Sequence, residues 1–98
     1  MAIKLDRIFQ IRPRMEGSWG VSAPLTEGLV EMRLSLTIFE AEDRGYAEMF
    51  IPSIDEYAEI GLTFEGGALV DYDGIMSIPD QLLDMLDELG FNTSEMRD

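Results

Sequence analysis

Between Glu40 and Asp73 the chain carries ten carboxylates and a single cation, Arg44. Carboxylates at that density can do three kinds of chemistry. They can hold hard cations, act in pairs as acid and base, or present charge to a basic surface. A calcium loop of the EF-hand type needs acids or amides at its first, third and fifth positions, glycine at the sixth and glutamate at the twelfth. Asp71-Tyr72-Asp73-Gly74 starts in that way, but the fifth, sixth and twelfth residues from Asp71 are Ile75, Met76 and Leu82. The match fails, and an acidic turn accounts for the run. Paired-carboxylate catalysis needs two acids across a cleft. Twenty acids in 98 residues make some pair inevitable, so the pattern singles out none.

Other reactive groups are scarce. There is no histidine and no cysteine. That removes the commonest general base, the thiolate nucleophile, the usual zinc ligands and any disulfide. Lys4 is the only lysine, and Gly61, Gly66 and Gly67 lack the spacing and the lysine of a phosphate loop. The expectation is a protein that is not an enzyme, with no catalytic residues, no metal ligands and no cofactor.

Charge presentation is what remains. The net charge is −13. Four of the seven basic residues, Lys4, Arg7, Arg12 and Arg14, lie in the first fourteen positions, against Asp6 alone. From Met15 onward three basic residues face nineteen acids. Such a field repels nucleic acid and anionic membranes and attracts a basic protein surface. Solubility, or adaptation to high salt, would explain the acidity equally well. One lysine against six arginines suits the salt reading.

The elements that must position these acids follow from periodicity. Val30, Met32, Leu34, Leu36 and Ile38 alternate with Glu31, Arg33, Ser35, Thr37 and Phe39. A period of two over five apolar positions predicts a strand with one oily and one wet face. Ile3, Leu5, Phe9 and Ile11 predict a first strand, interrupted on its apolar side by Arg7 and ended by Pro13. Glu40–Gly45 predicts a turn and Tyr46–Ile51 a returning strand. Gly66-Gly67 predicts a tight hairpin between 62–65 and 68–72. Ser53-Ile54-Asp55-Glu56 has the form of a capping box, which predicts a short helix over 54–60. Pro79, the stripe Leu82, Leu83, Met85, Leu86 and Leu89, then Gly90 and Phe91, predict a C-terminal helix over 79–89 with a Schellman ending. Residues 14–28 predict a long loop holding Trp19, and Asn92–Asp98 a frayed tail.

One α+β domain over 1–98 is expected. It would have a mainly antiparallel sheet of about five strands, the short helix near 54–60, and the helix 79–89 packed on one sheet face. No apolar run approaches the roughly 18–20 residues that span a bilayer. The charged N-terminus does not read as a secretory signal, so a cytoplasmic location is expected. The expected partner-binding residues are Asp55, Glu56 and Glu59 around an anchoring Tyr57, Glu42 and Asp43 in the preceding turn, and Trp19. The competing and favoured readings are that Tyr57 is an ordinary half-buried helix residue and that Trp19 folds back as a lid over one end of the sheet.

In size, acidity and lack of catalytic residue types, the chain is similar to small inhibitors encoded by phages, such as anti-CRISPR and anti-restriction proteins. The similarity is one of type and rests on no motif. It implies a protein partner whose nucleic-acid site is occupied by carboxylates acting as phosphate mimics, with no direct binding of nucleic acid. The competing expectation is a small structural or assembly subunit that buries apolar surface in a homo-oligomer or larger complex.

Overall fold

The computed structural model describes residues 2–11, 29–75 and 77–97. Five strands follow one another: β1 (Ala2–Ile11), β2 (Val30–Phe39), β3 (Arg44–Ile51), β4 (Glu56–Glu65) and β5 (Ala68–Asp73). They form one antiparallel sheet in sequence order, each strand paired with the next. One α-helix, α1 (Asp80–Glu88), comes after the sheet. Trp19 and the predicted 14–28 loop lie outside the described residues.

The period-two pattern does what it predicts. Met32, Leu34, Leu36 and Ile38 of β2 are buried, as are Ala47, Met49 and Ile51 of β3 and Ala58, Ile60, Leu62 and Phe64 of β4. Leu82, Leu83, Met85 and Leu86 of α1 join them in one apolar cluster. That side of the sheet is its inner face; the alternate residues form the outer face. Gly45 sits on the inner face opposite Ile38 and Leu62. A side-chain carbon there would lie 2.9 Å from Ile38 Cδ1 and 3.0 Å from Phe64 Cε2, so the glycine makes room for the Phe64 ring.

The tight hairpin and the helix ending are built as expected. Gly66 and Gly67 both have positive φ, as a two-residue turn between twisted strands requires. At the end of α1 the Phe91 amide donates to the Leu86 carbonyl and the Gly90 amide to that of Asp87, both at 3.0 Å. Those are the two bonds of a Schellman motif. They aim the Phe91 ring at Phe64, with centroids 4.6 Å apart. Pro79 caps the helix from just outside it and is not its first residue.

Two expectations are corrected. No helix covers 54–60. Pro52–Ile54 is one 3-10 turn, Asp55 takes a left-handed conformation (φ 51°), and β4 starts at Glu56. Tertiary burial of the alternating Ala58, Ile60, Leu62 and Phe64 overrides the local capping box. Nor are residues 92–97 of the expected tail frayed; Asp98 lies outside the described residues. The Asn92 amide donates to Gly67, and the Asn92 carbonyl accepts from Leu69, both at 2.9 Å. This adds a parallel bridge to the outer edge of β5. Thr93, buried, donates through Oγ1 to Asp87 Oδ1 at 2.6 Å. Arg97 donates to Thr93, Asp84 and Asp87. The tail is thereby clasped to α1. Among the described residues, no helix is long and apolar enough to cross a membrane.

Candidate protein-docking surface

Strand register decides which side chains meet on the outer face. Ile8, Arg33, Phe50 and Tyr57 stand opposite one another across four strands. The next row is Asp6, Ser35, Glu48 and Glu59, and the next is Lys4, Thr37, Tyr46, Gly61 and Asp73. Two carboxylates, Glu48 and Glu59, therefore face each other directly across β3 and β4. Like charges so placed destabilise a sheet.

The Tyr57 hydroxyl lies between them, 2.9 Å from Glu48 Oε2 and 3.0 Å from Glu59 Oε1. A phenol has one proton to donate, so it serves one carboxylate at a time and leaves the other to solvent or to a ligand. The bond to Glu48 pushes the Tyr57 hydroxyl far above its ordinary value of 10.0, with desolvation, Tyr46 and Glu59 adding to it. Burial raises the neighbouring Tyr46 too; its hydrogen bond with Tyr57 opposes the shift, and Glu59 and Glu48 reinforce it. Both hydroxyls thus stay neutral donors inside a negative field. Tyr57 remains 47% exposed.

The field grows toward one edge of the sheet. On the outer face of β4 and β5 lie Glu59, Glu65, Asp71 and Asp73, and neither strand contains a cation. On β2, by contrast, Arg33 is paired with Glu31 at 2.5 Å. Within strands, carboxylates two residues apart are spaced by about 7 Å, and across strands by about 5 Å. The array is one-signed, which suits contact with several cations at once.

The expected partner-binding residues are divided by this geometry. Tyr57 and Glu59 share the outer face. Glu56 pairs with the buried Ile51 and belongs to the inner side. Asp55 is an exposed turn residue at the same end of the sheet. Glu42 and Asp43 sit at the opposite end, in the exposed turn between β2 and β3, about 25 Å away along β3. A cavity of about 170 Å³ adjoins that turn, lined by Phe39, Asp43, Arg44, Phe64 and Phe91 among others. Glu48, Tyr46 and Phe50 were missing from the expected set. The alternation Tyr46, Glu48, Phe50 opposite Tyr57, Glu59 would have located them had 56–60 been read as a strand.

Among the described residues, no group of three or more acids is placed to hold a metal ion. Comparison with protein-family models, with curated proteins and with solved structures finds no match to this chain.

Proposed function

We propose that this protein is a non-enzymatic binding module whose outer sheet face docks on a basic protein surface. The partner we favour is a nucleic-acid-handling protein, whose phosphate-binding groove the carboxylates would fill, making the chain an inhibitor that works in the cytoplasm. The observation that carries this reading is the opposed pair Glu48 and Glu59, with Tyr57 hydrogen-bonded between them. Folding alone gains nothing from two facing carboxylates on an exposed sheet face. A guanidinium or ammonium group laid between them would relieve the repulsion and could rest against the exposed tyrosine ring. The cation-free strands β4 and β5 extend the same field and would speed association by steering.

The test is a double charge reversal, Glu48→Lys with Glu59→Lys. It should abolish salt-sensitive retention of a basic partner while leaving the fold intact by circular dichroism. Unchanged affinity would exclude this face as the docking site.

A second reading, a structural or assembly subunit, draws on the apolar side chains of the same face. Ile8 is 63% exposed and Phe39 41%. On that reading, the retained partner would resist high salt, because burial of apolar surface is not screened.

A further inference from the structure

The two edges of the sheet differ. The outer edge of β5 is already occupied by the chain itself through Asn92. Among the described residues nothing pairs with the free edge of β1, ten residues long. An open strand edge is a template for another strand. Its inner-face residues Ile3, Leu5 and Phe9 are only partly buried, although they pack against the core. The apolar layer is thus incomplete along this edge.

We infer that β1 pairs antiparallel with β1 of a second copy, about a two-fold axis at Leu5, to give a continuous ten-stranded sheet. Charge selects both the occupant and the register. β1 is the one strand in which cations outnumber acids, with Lys4 and Arg7 against Asp6. It is therefore where two copies of a chain of charge −13 meet without setting acid against acid.

A two-fold axis that keeps both inner faces on one side pairs only residues of the same parity. Centring on Asp6 or Arg7 sets like charges on the axis. Centring on Leu5 places each Lys4 opposite the other copy's Asp6, twice, and Leu5 against Leu5 on the inner side. No other allowed register within β1 opposes unlike charges. Lys4 and Asp6 make no ion pair among the described residues and are exposed on the outer face, so both are available. Arg7, by contrast, is engaged with Glu88 of α1 at 2.5 Å.

The experiment is sedimentation velocity of the full chain from low to high micromolar concentration, on the wild type, Lys4→Asp, Asp6→Lys and the double swap. The wild type should dimerise. Each single variant sets two like-charge pairs across the axis and should weaken the dimer by about tenfold or more. The double swap restores both unlike pairs and should recover it. Both sites are exposed, so the fold is retained, and circular dichroism confirms that. A wild type that stays monomeric overturns the inference; Lys4 and Asp6 would then merely guard the edge. Single variants as dimeric as the wild type, or a folded double swap that stays monomeric, would overturn the register.

Discussion

The two faces of the sheet use the same strands for opposite ends. On the inner face Met32, Ile38, Met49 and Ile60 are fully buried, in one cluster with Leu86 of α1. On the outer face tyrosines and carboxylates crowd together, and Glu48 faces Glu59. Burial of the first set stabilises the fold. The second set opposes it through like-charge repulsion, eased by one phenol. A face whose composition costs stability is shaped by something other than folding. That difference separates the part of the molecule that holds the structure from the part proposed to meet a partner.

The comparison can be broken most forcefully in the core. Ile60→Ala should destabilise the protein by about 2–5 kcal/mol in urea unfolding, whereas Phe50→Ala on the outer face of the neighbouring strand should cost under about 1 kcal/mol. Equal losses would erase the distinction between the faces. The clasp beside α1 comes next. Thr93→Val removes the buried hydroxyl that donates to Asp87 and accepts from Arg97, and should cost about 1–3 kcal/mol.

A smaller change should run the other way. Glu59→Gln removes the facing charge and should raise stability by about 0.2–1 kcal/mol, a gain that shrinks with added salt. Loss of stability would mean that the pair is structural.

Acid and base should separate the clasp at α1 from the outer face of the sheet. The hydrogen bond from Thr93 holds the Asp87 carboxyl below its ordinary value of 3.8, with Arg97 assisting against desolvation. Its stabilising effect is present above that value and is lost as pH falls through the lowered one. Tyr57 is raised, so its contribution is complete below pH 10.0 and is lost as pH rises beyond it. Melting temperature should therefore drop in acid less steeply in Thr93→Val, and in strong alkali less steeply in Tyr57→Phe. Identical profiles for wild type and variants would contradict both assignments.

Much of the fold was legible because it is local or strictly periodic. Alternation in 30–38 and 3–11, the Gly66-Gly67 turn, and the stripe and glycine of α1 each announce themselves within a dozen residues. The end of β4, 62–65, could be read as a strand, but its first half was hidden because Ser53 and Glu56 imitate a helix start and Gly61 imitates a helix end. The clasped tail was hidden because Asn92 acquires partners only once β5 is in place beside it. The register shift between Thr63 and Phe64 is another product of assembly; it turns Leu69 and Tyr72 to the same face although they are three residues apart. The candidate docking surface was half legible. Its charge can be counted along the chain, but bringing Glu48 to Glu59 depends on the register of β3 and β4.

The most direct test of acidic docking is retention from native lysate on the immobilised protein. Wild type and Glu48→Lys/Glu59→Lys would be compared through a salt gradient, and the retained protein identified. The account predicts a basic, nucleic-acid-handling protein held at low salt by the wild type, released at high salt, and absent from the variant. The same partner held equally by both proteins, or held through high salt, would contradict it.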